Sequence, residues 1–274
     1  MKLLKQLFDF YLDASIHVAL AVVSLYLISL KILEVSTNQI LVGFLFFGTI
    51  VCYNFIKYGV EAKKYLIVSN PYHRLIQVLS FLSFLLAMYF FLKLDSTIWI
   101  ATLVLVILSG LYAIPLLPQT KNLRNLGGLK IYLVALVWMG CTVVLTVVDT
   151  KLKFTFDVFI LMLQRILLVL VLLIPFEIRD LLYDEVNLRT LPQRIGVPNT
   201  KMAGCLLVIF YLSLLLFKKE WKIVEVISKL LFGAILLATI KLTKEKQPKY
   251  FASFWVEALP MLYLAIWITV EDVF

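Results

Sequence analysis

Nine stretches of apolar residues, each close to the length that crosses a bilayer, constrain this chain more tightly than any single motif. They run Ile16 to Leu33, Ile40 to Ile56, Leu75 to Leu94, Ile98 to Leu117, Leu129 to Val148, Val158 to Phe176, Met202 to Phe217, Ile223 to Leu242 and Phe251 to Val270. A membrane-crossing helix needs about 20 mainly apolar residues. The stretches at Ile40 and Met202 are short, and they cross only if their helices continue into the headgroups with Lys or Arg at their ends. Backbone polar groups find no water in lipid, so the spans must be helices or a closed barrel, and no ten-residue alternating pattern argues for a barrel. With 62% hydrophobic and 16% charged residues among 274, and a mean hydropathy of +0.98, no soluble class accommodates the chain. The expected architecture is all-α: a polytopic membrane protein with a nine-helix transmembrane bundle. The connections are short and no linker or low-complexity tract interrupts them, so residues 1–274 read as a single domain.

The net charge of +9 tells more by its placement than by its size. Lys2 and Lys5 precede the first span; Lys57, Lys63, Lys64 and Arg74 follow the second. Lys121, Arg124 and Lys130 follow the fourth, Arg179, Arg189, Arg194 and Lys201 the sixth, and Lys241, Lys244, Lys246 and Lys249 the eighth. The opposite loops are poorer in cations, with Lys218, Lys219 and Lys222 the main cluster, and the last residues include Glu271 and Asp272. The positive-inside rule then sets a cytoplasmic amino terminus and an outside carboxyl terminus, in a multi-pass protein of the cell inner (cytoplasmic) membrane. Basic residues confined to short loops do not make a nucleic-acid surface, so nucleic acid is not an expected partner. Residues 1–15 read as an interfacial amphipathic helix rather than a signal peptide, because Asp9 and Asp13 interrupt the stretch and no small-residue cleavage site follows the first span.

Cys52, Cys141 and Cys205 are scattered in apolar spans and behave as small hydrophobes, without metal-ligand spacing. His17 and His73 are likewise isolated, which excludes a zinc or haem site built on them. The acidic residues are different. Glu177, Asp180 and Asp184 leave the sixth stretch at i, i+3 and i+7, on one face of a continuing helix. Ionised carboxylates beside lipid are costly unless paired, so such a stripe is a functional hypothesis by default. Two carboxylates with room for water suit a hard divalent ion such as Mg²⁺ held against a phosphate. The same stripe is also what a polar helix end, salt-bridged to its own Arg179 and Arg189, would look like.

Glu177-x-Arg179-Asp180-x-x-x-Asp184, followed by Arg189-Thr190-Leu191-Pro192 and then Gly196, resembles the second aspartate-rich motif of the UbiA superfamily of intramembrane prenyltransferases. Asn70-Pro71 with Arg74, Tyr112 and Pro115 closing the fourth span, and Lys121 to Lys130 leading into the fifth fall in matching order. The resemblance covers nearly the whole chain and implies a nine-helix bundle around a central cavity. It implies a Mg²⁺-assisted transferase that moves an isoprenoid group from a prenyl diphosphate to a lipophilic acceptor, such as an aromatic quinone precursor. On that reading Asp180, Asp184 and Arg179 are catalytic, and Glu177 joins Asp180 and Asp184 at the metal. Arg74, Lys57, Lys121, Arg124 and Lys130 then hold the diphosphate.

The chain departs from the family at its first motif, Asn-Asp-x-x-Asp-x-x-x-Asp, which would begin at Asn54. Phe55, Tyr58 and Ala62 stand where the aspartates belong. Asn54 remains and Glu61 lies at i+7 on the same face, so both stay candidate metal ligands, with Lys57 at i+3. One consequence is a site in which the Lys57 ammonium takes the place of one metal ion. The other is loss of turnover, which leaves a lipid- or isoprenoid-binding membrane protein or a small carrier. Gln164 and Arg165 inside the sixth span and Glu257 inside the ninth must face the bundle, and Arg165 with Glu257 is the expected pair. Pro175 and Pro260 are expected to kink their helices. Ring faces of Tyr53, Tyr58, Tyr112 and Tyr132 are candidates to stabilise an allylic cation.

Overall fold

The computed structural model describes residues 2–59, 70–113, 128–184 and 188–274, and among these the regular structure is entirely helical. A short helix α1 (Lys2–Asp13) is followed by α2 (Ile16–Leu33) and α3 (Gln39–Asn54), which continues as a π-helical turn, Phe55–Gly59. Next come α4 (Pro71–Phe91), α5 (Ser96–Ala113) and α6, which begins at Leu129, passes through a π-helical turn at Gly140–Val144 and ends at Asp149. The longest is α7 (Phe156–Asp180), before α8 (Leu191–Ser213), α9 (Ile223–Leu242) and α10, a π-helical turn Phe251–Val256 followed by Leu259–Glu271. Eight of these are long and apolar enough to cross a membrane, and α5 supplies a shorter apolar stretch, Ser96–Gly110. The expected order of spans stands.

Successive spans run antiparallel, so α1 and every second connection share one end of the bundle, the near end, and the carboxyl terminus lies at the far end. Helix α2 packs on α3 and α10, α7 packs between α6 and α8, and α9 between α8 and α10, while α4 and α5 flank α3 and α6. The inner helices are α7 and α2, whose apolar windows are 72% and 67% buried, against 22% for α4. Both are apolar over most of their surface, as helices enclosed by other helices are. Where α5 crosses α6 there is no room for a side chain on Gly140, since a Cβ there would lie 2.3 Å from Leu105 Cδ2. Small residues at helix crossings let backbones approach in lipid, where no hydrophobic force drives the helices together.

Two helix boundaries differ from the apolar pattern. Helix α8 begins at Leu191 rather than Met202, because Gln193 Oε1 accepts from the Thr190 amide and holds a first turn built from polar residues. That turn bends at Gly196, whose φ of 77° suits glycine, and the side chains of Asn199 and Thr200 donate to the freed carbonyls of Ile195 and Gly196. In α10 the irregularity precedes Pro260, which occupies the start of the regular helix, where its missing N–H costs nothing. Pro175 lies inside α7 without ending it.

Helix α1 exposes Leu3, Leu4 and Leu7 and turns Phe8, Phe10 and Tyr11 inward. Phe8 meets Tyr250 and Phe254 edge to face at 5.1 and 5.0 Å. This is the arrangement of a helix that lies in the interface with its leucines toward lipid. Its polar ties are Tyr72 OH donating to Asp13 Oδ2 at 2.6 Å and Asp9 Oδ1 accepting from Lys249 and Tyr250 at 2.8 and 2.7 Å. The Lys249 hydrogen bond, then that of Tyr250, holds the Asp9 carboxyl below the usual carboxylate range, and the Asp9 bond raises Lys249. A depressed carboxylate contributes stability that is present above its unfolded value and lost as pH falls through the folded one; the raised lysine loses its contribution as pH rises through its folded value. Lys249 is 65% exposed and Asp9 23%, so solvent and salt screen the effect. We therefore expect α1 to loosen as acidification passes below the ordinary Asp range. A fluorophore on Leu7→Cys, in a background lacking Cys52, Cys141 and Cys205, should report this loosening, and Asp9→Asn should abolish the acid transition.

Candidate active site at the near end of the bundle

At the near end α7 delivers the acidic residues. The helix closes at Asp180, and the amides of Tyr183 and Asp184 both donate to the Asp180 carbonyl at 2.8 Å, so Asp184 sits on a tight turn rather than on a continuing helix. The turn still returns Asp184 to Glu177. Lys130, at the start of α6, reaches Glu177 Oε1 at 2.7 Å and Asp184 Oδ2 at 3.6 Å, and the charge of Asp180 also acts on it. Arg179 pairs with its neighbour instead, its Nε and Nη2 both 2.8 Å from Asp180 Oδ1, and its guanidinium lies 5.1 Å from the Phe176 ring. Thus three carboxylates and two cations, Glu177, Asp180, Asp184, Lys130 and Arg179, form one cluster, as the spacing along α7 required.

A second strand of charges joins it. Lys57, on the π-helical turn after α3, donates to the Leu12 carbonyl at 3.3 Å and faces the charges of Glu257 and Asp13. Glu257, at the break in α10, in turn faces Lys57 and Arg179. The expected pairing of Arg165 with Glu257 is therefore not found: Arg165 Nη2 donates to Ser29 Oγ at 2.8 Å, deep in the far half of the bundle. Counting along the helices explains this. Arg165 lies 15 residues before the near end of α7, about 22 Å, whereas Glu257 lies six residues into α10 from that same end, about 9 Å. Glu257 is the near-end residue that sequence reasoning misplaced, and its six-residue distance from the start of the ninth stretch was the available signal.

Asn54 does not reach the acidic cluster. Fully buried, it accepts from Ser15 Oγ at 2.8 Å and donates to the Ala14 carbonyl at 3.2 Å and Ser80 Oγ at 2.9 Å. The amide fastens the α1–α2 elbow, where Ser15 adopts a left-handed φ of 62°, to α3 and α4, which is a structural role. Arg74 is exposed on the first turn of α4, at the same end. Lys121, Arg124 and Glu61 lie outside the described residues, as do Ala62, Lys63 and Lys64. Among the tyrosines proposed as cation stabilisers, Tyr53 OH accepts from Trp138 Nε1 at 2.7 Å, Tyr58 OH donates to the Asp13 carbonyl at 3.2 Å, and Tyr132 is 51% exposed. His17 is structural: Nε2 donates to the Phe254 carbonyl at 2.9 Å, which leaves Nδ1 to accept from Tyr11 OH at 2.6 Å.

Among the described residues no three His, Cys, Asp or Glu side chains converge as a ready-made metal cage. The donor chemistry nonetheless fits a hard divalent cation. Glu177 Oε2 and Asp184 Oδ2 are buried acceptors to which no described group donates a hydrogen bond. Buried acceptors left in that state are unfavourable, and oxygen ligands of this kind are what Mg²⁺ takes.

No protein-family model matches this sequence, and none of the curated proteins matches it. Solved structures do. The chain superposes on a UbiA homologue from Archaeoglobus fulgidus bound to DMAPP and Mg²⁺ with a TM-score of 0.64 and 11% identity, over 97% of this chain and 99% of that one. The same homologue bound to GPP and Mg²⁺ gives 0.60 and 12%, over 96% and 99%. A structure of digeranylgeranylglyceryl phosphate synthase gives 0.57 and 16%, over 98% of each chain.

Substituting Asn54 tests this structural role. Asn54→Ala strands the Ser15 hydroxyl, the Ala14 carbonyl and the Ser80 hydroxyl, and should cost about 2–3 kcal/mol in unfolding free energy with faster proteolysis of α1. A loss of Mg²⁺ affinity with unchanged stability would instead point to the metal role. At such identities the solved structures speak for architecture: this chain has the fold of the UbiA homologues, traced over nearly its full length.

Proposed function

We propose that the chain is a UbiA-type membrane prenyltransferase, which moves an isoprenoid group from a prenyl diphosphate to a lipophilic acceptor, with an aromatic quinone precursor as the favoured class. The observation that carries this reading is the pair of undonated buried oxygens, Glu177 Oε2 and Asp184 Oδ2, among cations at one mouth of this fold. The structures bound to DMAPP or GPP with Mg²⁺ share that fold and support the choice of substrate and metal.

Asp180 and Asp184, with Glu177 beside them, would hold Mg²⁺, which when bound supplies positive charge against the diphosphate leaving group. Charge balance favours this division of roles. Glu177, Asp180 and Asp184 against Lys130 and Arg179 leave one net negative charge, enough to attract a dication and to leave one net positive charge facing a diphosphate. Lys130 bridges Glu177 and Asp184, and Arg179 fixes the Asp180 carboxylate through Oδ1. Arg74, Lys121 and Arg124 belong to the same end by sequence and are assigned to the diphosphate. Lys57, which feels the charges of Glu257 and Asp13, would project its ammonium toward the space that a metal ion occupies in relatives, so a single metal ion is the expected complement. Apolar helix walls exclude the water that would quench an allylic cation. The Lys- and Arg-rich near-end loops support a cytoplasmic site in the inner membrane, with the carboxyl terminus outside.

Membranes containing the protein should release diphosphate from labelled DMAPP or GPP in a Mg²⁺-dependent manner, and chelation should abolish it. Asp180→Asn and Asp184→Asn should each lower the rate about 100-fold or more, the scale typical of lost electrostatic stabilisation of a leaving group. Binding of the diphosphate by wild type with no release, equal in both variants and indifferent to Mg²⁺, would overturn the enzyme reading.

A further inference from the structure

The far end of the bundle carries a cavity that prenyl transfer at the near end does not use. It lies between the end of α2, the start of α9 and the end of α10, opens at the surface and encloses about 480 Å³, within the range of sites that take small molecules. Four charged side chains line it in two pairs: Lys31 with Glu271, and Lys222 with Glu34 at 2.7 Å. The lysine side chains are 31% and 30% exposed and those of Glu271 and Glu34 47% and 73%, so both pairs stand at the mouth within reach of water. Pairs this exposed add little stability by themselves. Among described groups Lys31 donates to Glu271, and Lys222 to Glu34 and the Ile32 carbonyl, so each ammonium keeps an N–H for a further acceptor.

Deeper in, the lining changes character. Leu27 stands one turn below Lys31 on α2, and on α10 Ile268 and then Leu264 follow below Glu271. At 1.5 Å per residue Leu264 is about 10 Å below Glu271. The wall therefore grades from charge at the surface to hydrocarbon toward the membrane interior, along the direction in which a lipid chain runs. Trp267, 2% exposed, lies between the two zones, and its Nε1–H is buried with no described acceptor. A buried indole N–H ordinarily has a partner, so this wall is short of one acceptor oxygen.

We infer that this cavity binds one phospholipid of the far-end leaflet whose headgroup is zwitterionic with a primary ammonium, the phosphatidylethanolamine class. Charge complementarity selects it. Two lysines and two glutamates sum to zero, and an anionic headgroup would set its phosphate among carboxylates with no positive group to offer them. A headgroup carrying both signs places phosphate oxygens at Lys31 and Lys222 and its ammonium at Glu34 and Glu271. A primary ammonium donates hydrogen bonds to those carboxylates, which a trimethylated one cannot. Below it Trp267 Nε1 donates to an ester or phosphate oxygen, and one acyl chain follows Leu27, Ile268 and Leu264 toward the core. The lipid ties α2, α9 and α10 together independently of any chemistry at the near end.

The test uses the full-length protein purified in detergent, stripped of co-purifying lipid and titrated with mixed micelles of phosphatidylethanolamine, phosphatidylcholine or phosphatidylglycerol of identical acyl chains. Native mass spectrometry should show one phosphatidylethanolamine retained under activation that removes the other two. Thermal midpoint should rise saturably with that lipid, by about 3 °C or more beyond the others, as binding to the folded state requires. Glu34→Gln with Glu271→Gln removes the acceptors for the ammonium and should bring phosphatidylethanolamine down to the retention of phosphatidylcholine. Trp267→Phe loses the donor and should weaken half-saturation several-fold. Should Trp267→Phe fail to fold, the double variant, at two exposed positions, still decides. Equal retention of all three lipids would show annular lipid only, and a preference for phosphatidylglycerol would show an anion site; either overturns the assignment. A phosphatidylethanolamine preference that persists in the double variant, or an equal midpoint rise with water-soluble phosphoethanolamine, would overturn it as well.

Discussion

Every charge carried into the apolar part of this bundle has to be answered from within it, since lipid offers neither water nor counter-ions. That requirement sorts the buried ionic groups into two layers. At the near end Glu177, Asp180 and Asp184 meet Lys130 and Arg179, with Glu257 and Lys57 alongside. In the far half Arg165, Lys218 and Lys229 meet Glu225. Between them α2 and α7 present almost unbroken apolar surface, with Val169, Leu170, Val171 and Leu172 of α7 packed against its neighbours. An isoprenoid tail, which has no polar atoms, would need such a stretch of uncharged wall below its diphosphate.

The near-end layer depends on a scaffold that carries no charge itself. Asn54 makes the elbow between α1 and α2 possible by hydrogen-bonding the strained Ser15 and the Ala14 carbonyl, and the elbow sets α1 across the bundle end. From there the backbone of α1 takes part: the Leu12 carbonyl receives Lys57 and the Asp13 carbonyl receives Tyr58. Packing alone thus gives Asn54 a reason to stand where it does. An asparagine with all three of its described hydrogen bonds inside a fully buried site is costly to replace, whatever happens to the chemistry nearby.

Much of this was legible in the sequence. Apolar length located the spans, alternation of basic loops divided the two ends, and the amphipathic pattern of residues 1–15 pointed to a helix where α1 (Lys2–Asp13) lies. The acidic cluster followed from residue spacing on α7, although the turn at Asp180 replaced the continuing helix and placed Asp184 by a different route. Pairings between helices were less accessible, because one sequence gives the position of a residue along its own helix but not the rotation of that helix about its axis. Arg165 and Glu257 were matched by charge alone, whereas depth reckoned from the helix ends separates them by about 13 Å. Asn54 was read through a family motif, and no feature of the sequence announced that Ser15 would turn left-handed and require it.

On the proposed UbiA-type reading, the absence of a first aspartate motif changes the electrostatics of the near end in a definite direction. Three acids at Phe55, Tyr58 and Ala62 would have added negative charge that only further metal could balance. The chain instead offers Lys57, and it places Glu257 and Asp13 so that this lysine is met by carboxylates rather than left bare. Glu257 also acts on Arg179, which holds Asp180. The two halves of the site are therefore linked by alternating charges, from Lys57 through Glu257 and Arg179 to Asp180. A change in the charge of any one of them acts on its neighbours in this series, and at the partly exposed Arg179–Asp180 pair solvent screens the effect. On the proposed reading the cationic counterweight would sit on the protein instead of being recruited from solution as a further metal ion, and affinity for a diphosphate would depend less on the concentration of free divalent ion.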